Sequence, residues 1–208
     1  MEEAFFIFEL IGIIVFSLSG ALVAIEKKMD IFGVAIMGLI TATGGGVIRD
    51  LILGVNPPKA FQNPTDALVA IATALIVFLP SIRKFISKEK KVYDILILIL
   101  DSLGLGLFTV IGVKAAIEAG YNNNLFLQIF VGVLTGVGGG VLRDVLSGDR
   151  PYIFVKHFYA CASLLGAIAC ALLWKHIGEI PSSLVTIGIT FTLRILAAHF
   201  RWSLPKAE

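Results

Sequence analysis

Apolar residues in this chain come in long, nearly unbroken stretches, not in the alternation of a strand or the one-sided stripe of a soluble helix. Seven such segments stand out. The first runs from about Ala4 to Ile25 and stops at Glu26, Lys27 and Lys28. The second runs from about Ile31 to Leu53 and ends before Asn56, Pro57 and Pro58. A third, short for a crossing, covers about Pro64 to Leu79 and is followed by a basic loop from Arg83 to Lys91. The fourth covers about Val92 to Ala119, and Gly120 to Asn124 then turn the chain. The fifth covers about Leu125 to Leu146, the sixth Tyr152 to Trp174 and the seventh Pro181 to Arg201. At roughly 20 residues per crossing, the pattern predicts an all-α membrane protein of seven transmembrane helices. Composition agrees, with 57% hydrophobic and 15% charged residues and a mean hydropathy of +0.93. Glu2 and Glu3 make an acidic start, and no small-residue cleavage site follows, so the first segment is expected to be a retained helix and not a signal peptide.

Two of these segments carry the same interruption. Gly44, Gly45 and Gly46 are followed by Arg49 and Asp50 in the second segment, and Gly138, Gly139 and Gly140 by Arg143 and Asp144 in the fifth. Each glycine costs a helix about 1 kcal/mol against alanine and takes non-helical angles easily. The triplets therefore predict helices 2 and 5 broken at their glycines, with loosened backbone lining a wet path, because lipid tolerates such a break only beside protein or water.

The repetition extends well beyond the motif. Thr41 matches Thr135, Gly38 matches Gly132, and Gly54 and Pro57 match Gly148 and Pro151, all 94 positions apart; Glu9, Phe16, Ser17 and Gly20 match Asp101, Phe108, Thr109 and Gly112, 92 apart. The unit is three helices: repeat 1 at about 4–80, repeat 2 at about 92–174, with an extra helix at about 181–201, all in one transmembrane domain spanning 1–208. An odd number of crossings inverts the second unit, a layout associated with transport sites at the membrane midplane. On the N-terminal side lie Lys59, Lys114 and Lys175. On the other lie Lys27, Lys28, Arg83, Lys84, Lys88, Lys90, Lys91, Arg150, Lys156, Arg201 and Lys206. This bias predicts an outer N-terminus and a cytoplasmic C-terminus.

Charged groups inside apolar segments need partners or water. Adjacent helix residues point about 100° apart, so Arg49 and Asp50, and likewise Arg143 and Asp144, must each find a partner elsewhere, cap a broken end or meet water. The repeat register predicts ion pairs between Glu9 and Arg49 near the outer face and between Asp101 and Arg143 near the inner face. The same groups are candidates for an ion pathway: the six triplet glycines, Arg49, Asp50, Arg143, Asp144 and Asp101, with hydroxyls from Ser17, Ser19 and Thr109 and a cation at Lys114. Lys114 and Arg194 can also snorkel to the membrane surface. Cys161 and Cys170 are nine residues apart in one helix, too far for a disulfide, and suit buried packing. His157, His176 and His199 form no metal pattern. There is no G-x-S-x-G or H-E-x-x-H, and Gly104-Leu105-Gly106-Leu107-Phe108-Thr109 lacks the last glycine of a dinucleotide loop, so no enzyme, cofactor, metal or nucleic-acid role is expected.

With duplicated GGG-x-x-R-D at Gly44–Asp50 and Gly138–Asp144, a three-plus-three-plus-one layout and its short length, the chain resembles the prokaryotic members of the trimeric intracellular cation channels. That resemblance implies a homotrimer in membrane lipid with an hourglass pore in each protomer. It implies kinks at the triplets, neighbouring polar groups at Arg49, Asp50, Arg143 and Asp144, and conduction of potassium or sodium ions. The implied location is a prokaryotic inner membrane and the implied role is counter-ion current. Some bacterial relatives are described as glycine transporters, which keeps a small-amino-acid carrier as the alternative.

Overall fold

A computed structural model describes residues 2–80, 90–155 and 158–202. The expected basic loop from Arg83 through Lys88, and also Lys156, His157 and Lys206, lie outside the described residues.

The long helices are α1 (Glu2–Glu26), α2 (Ile31–Leu53), α5 (Lys90–Glu118), α6 (Leu125–Leu146), α8 (Tyr159–Ile177) and α9 (Glu179–His199). These six are long and apolar enough to cross a membrane. Between them lie the short α3 (Lys59–Gln62) and α7 (Tyr152–Val155), and α4 (Thr65–Phe78), whose 14 residues reach about 21 Å. One sequence expectation is corrected at once. The sixth segment is divided, because Phe158 turns into the left-handed region at φ 52° between α7 and α8. Between the second and third segments the chain makes the one-turn helix α3.

α2 and α6 are delimited alike. Asp30 accepts a hydrogen bond from the Gly33 N–H at 2.7 Å, and Asn124 accepts one from Leu127 at 3.0 Å, satisfying first-turn donors. At the other end, Gly54 (φ 75°) and Gly148 (φ 76°) take the left-handed turn. Val55 N–H then donates to the Asp50 carbonyl, and Asp149 N–H to that of Asp144, both at 2.9 Å. Both stops are the closed, glycine-dependent kind.

The glycine triplets do not break their helices. α2 and α6 run helically through both, which corrects the expectation of interrupted spans. Intact helices keep their backbone groups paired within themselves, as the bilayer interior demands. What the triplets provide is closeness. A methyl group on Gly45 would collide with the Thr135 carbonyl oxygen, and one on Gly139 with the Thr41 carbonyl oxygen. Gly138 abuts Gly45 itself. α2 and α6 thus cross backbone to backbone at the centre of the bundle.

Around this crossing the other helices wrap. α1 packs on α2, α4 and α5, while α5 and α8 pack on α6 from the other side and α9 packs in turn on α5 and α8. Phe16 and Phe108 meet at 5.1 Å between ring centroids, within a core that also holds Ile13, Ala42, Ala70 and Ile111. A second core joins Ala21, Leu22, Val34, Met37, Ala74 and Val77, and a third Phe5, Val110, Val113, Ala167 and Cys170. Phe6, Phe32, Leu68, Phe126, Phe130 and Leu172 face outward, as lipid-facing positions of a membrane bundle do.

Candidate functional site

The two Arg-Asp pairs end their helices in the same way and differ in what surrounds them. In each, the arginine Nε donates to the first oxygen of the aspartate that follows it, at 2.7 Å for Arg49 to Asp50 and 2.9 Å for Arg143 to Asp144. Adjacent residues therefore do pair here, against the expectation that each must look elsewhere. The long guanidinium arm folds back to reach its neighbour. The second carboxylate oxygen accepts a backbone N–H from the short helix beyond, Lys59 at 2.8 Å in one case and Tyr152 at 2.8 Å in the other. Tyr152 corresponds to Pro58 in the 94-residue register. Proline has no N–H to give, so Asp50 reaches one residue further.

Around Arg143 the site is closed. Its Nη1 lies 2.6 Å from Asp101 Oδ1 and 2.5 Å from Ser19 Oγ, and its Nη2 lies 2.7 Å from Asp144. Tyr152 and Tyr159 stack edge to face at 6.4 Å, with Arg143 over the first ring at 5.4 Å and Arg194 over the second at 4.6 Å. Arg143, Asp101 and Arg194 are each at most 1% exposed. Arg194 therefore turns inward instead of snorkelling. Two cations and two carboxylates neutralise one another, which is how buried charge is tolerated.

About 15 Å back along α1, by the rise over ten residues, the equivalent position opens into a cleft at the N-terminal face. Glu9, Thr43, Gly46, Arg49, Asp50, Lys59 and Asp66 line it, with Ile13, Ala42, Ala60 and Phe108. Counted together with the solvent at its mouth, the cleft leaves about 340 Å³ free of protein atoms. The expected Glu9–Arg49 ion pair is absent: Arg49 pairs with Asp50 alone among the described residues. Ser19, which helps hold Arg143, has Ile111 as its counterpart in the 92-residue register, and Ile111 can hold nothing polar.

The remaining candidates divide. Ser17 donates to the Ala70 carbonyl at 2.6 Å, and Thr109 bonds Leu105 and Ser163 at 2.7 Å, so both hydroxyls are fully buried in helix contacts. Lys114 pairs with Glu118 one turn on and lies 4.7 Å above the Phe5 ring. Gly46 lines the cleft; Gly45, Gly138 and Gly139 are occupied with the crossing, while Gly44 meets Leu142 and Gly140 meets Tyr159. Cys170 is buried and Cys161 half-buried, both as free thiols. Sequence reasoning missed Asp66, Lys59 and Tyr159. Contacts of Ala74 and Ala167 with Gly38 and Gly132 put the third helix of each unit at an offset of 93, and in that register Asp66 stands where Tyr159 stands.

A family model described as "Glycine transporter" matches twice, at residues 6–81 and 98–175. The chain is 34% identical over 196 residues to the UPF0126 inner membrane protein YadS of Escherichia coli K12, spanning 94% of this chain and 91% of that protein. It resembles a TRIC cation channel studied for conductance at a TM-score of 0.84 and 36% identity, over 97% of this chain and 96% of the other. The TRIC trimeric intracellular cation channel orthologue from Rhodobacter sphaeroides gives a TM-score of 0.86 at 32% identity, over 96% and 99%.

Proposed function

Because this chain belongs to the family that joins the UPF0126 membrane proteins to the prokaryotic TRIC channels, we propose that it is a passive channel for monovalent cations, chiefly potassium. In this reading each protomer of a homotrimer holds its own pathway in the inner membrane, and the current serves as counter-ion flow. The observation that carries it is the cleft at the N-terminal face. Three carboxylates and two cations surround open space within a membrane bundle, an acidic excess that attracts a cation.

The pathway is read as passing along α2 and α6 through Gly46, Arg49 and Asp50 to Asp101, Arg143 and Asp144, with Lys114 near its outer end. The inverted-repeat reading, with units at about 4–80 and 92–174 and the seventh helix at about 181–201, draws support from reciprocity. Gly45 touches Thr135 as Gly139 touches Thr41, and Phe16 touches its own counterpart Phe108. Both stretches matched by one family model fit the same duplication. The lysine and arginine bias supports an outer N-terminus. Purified protein in planar bilayers should give discrete potassium steps; no steps across a range of voltages would refute the channel.

A second reading, a carrier for a small zwitterion such as glycine, is favoured by one feature. The Arg49 Nη groups have no hydrogen-bond partner among the described residues, and Glu9 and Asp66 share their cleft. A guanidinium fork suits a carboxylate, and the acids suit an ammonium. Saturable glycine uptake into vesicles without single-channel steps would decide for the carrier.

A further inference from the structure

The two faces of the bundle use equivalent positions for different ends. At the closed face, Asp101 is spent on Arg143, and the Tyr159 ring fills the space beside it under Arg194. At the open face, Glu9 holds the position of Asp101 without an ion-pair partner among the described residues. Asp66 takes the place of the Tyr159 ring, exchanging bulk for a carboxylate. Arg49 pairs through its Nε with Asp50, 2.7 Å apart. Glu9 and Asp66, both half-exposed, are left without an ion-pair partner among the described residues, and they share the cleft with the Arg49 guanidinium and the exposed Lys59 side chain.

We propose that Glu9 and Asp66 are the specificity-determining residues of the pathway: they concentrate monovalent cations in the N-terminal cleft and exclude anions from it. This rests on the channel reading above. Because the opposite face carries a self-neutralised network, the two mouths differ in charge, and conduction is asymmetric. Cations entering from the N-terminal face are enriched and those entering from the other are not, so the current rectifies at low ionic strength. The asymmetry fades as salt rises, since the screening length falls from about 10 Å at 0.1 M to about 3 Å at 1 M.

The test is single-channel recording from purified full-length protein in planar bilayers, at about 0.1 M and about 1 M KCl. The wild type should rectify at the lower concentration and approach a linear current–voltage curve at the higher. Glu9→Gln should lower the conductance about two- to threefold and weaken the preference for potassium over chloride at low salt, with little change at high salt, as expected for one charge a few ångströms from the ion. Glu9→Asp should restore the wild-type values. Asp66→Asn, at the start of α4, should act in the same direction and serves as the second variant if Glu9→Gln does not fold. Unchanged low-salt conductance and selectivity in both variants would overturn the proposal. So would a loss of equal size at both concentrations, which marks damage to the bundle and not a lost charge. A wild type that gives no steps at all removes the channel reading itself, a failure distinct from either.

Discussion

Arg143 and Asp101, 2.6 Å apart, tie α6 to α5 at a point neither water nor lipid reaches. Removing one member of such a pair leaves the other as an uncompensated buried charge, which costs about 3–5 kcal/mol. Asp144 and Ser19 still hold Arg143, so Asp101→Asn is expected near the lower end, about 3 kcal/mol. The double change Asp101→Asn with Arg143→Gln should be less damaging than the two single effects added, by at least about 1 kcal/mol. Unfolding in mixed micelles measures all three variants, and strict additivity would contradict an energetic coupling between the two side chains.

At the helix crossing, neighbouring glycines should respond oppositely. Gly45→Ala and Gly139→Ala drive a methyl group into a backbone carbonyl that cannot step aside, and each should cost about 1–3 kcal/mol. Gly46→Ala faces the cleft, where a new methyl would come nearest to Arg49 Nη2 at 3.7 Å, and should be neutral or stabilising by up to about 1 kcal/mol through helix propensity. Thermal midpoints of the three detergent-solubilised variants would show the split; equal losses would mean the contact is not what the triplet is for.

On the surface, Lys27 and Asp149 form a third kind of pair, 2.7 Å apart and well exposed, joining the end of α1 to the end of α6. The hydrogen bond to Asp149 raises the Lys27 pKa. A raised lysine pKa means that any stabilisation is present at neutral pH and is lost only as the pH climbs through the folded-state value. Exposed pairs of this sort contribute little and are screened by salt. Lys27→Ala should leave the thermal midpoint unchanged at physiological salt and at neutral pH, in contrast to the buried pair; a large drop would mean that this surface contact holds the two halves together.

How much of this was legible beforehand depended on whether the information was local. The boundaries of α2 and α6 follow from Asp30, Asn124, Gly54 and Gly148, residues that act within their own turn. The Asp101–Arg143 contact followed from the register of the repeat. The Glu9–Arg49 counterpart is missing where the register itself breaks: Ser19, which helps hold Arg143, has Ile111 as its counterpart, an exchange that no comparison of Glu9 with Asp101 brings into view. The triplets carry a related ambiguity. Three glycines look alike whether they loosen a helix or admit another, and only the facing carbonyls of Thr41 and Thr135 distinguish the cases. Arg194 looked close enough to a helix end to snorkel, yet the Tyr159 ring gives it a better seat inside.

Each Arg-Asp pair leans on a residue that the ribosome supplies only later, Lys59 for Asp50 and Tyr152 for Asp144. Until that amide arrives, one carboxylate oxygen at the tip of a freshly inserted span has no backbone donor. The span is therefore finished electrically only when the next segment has begun to fold back.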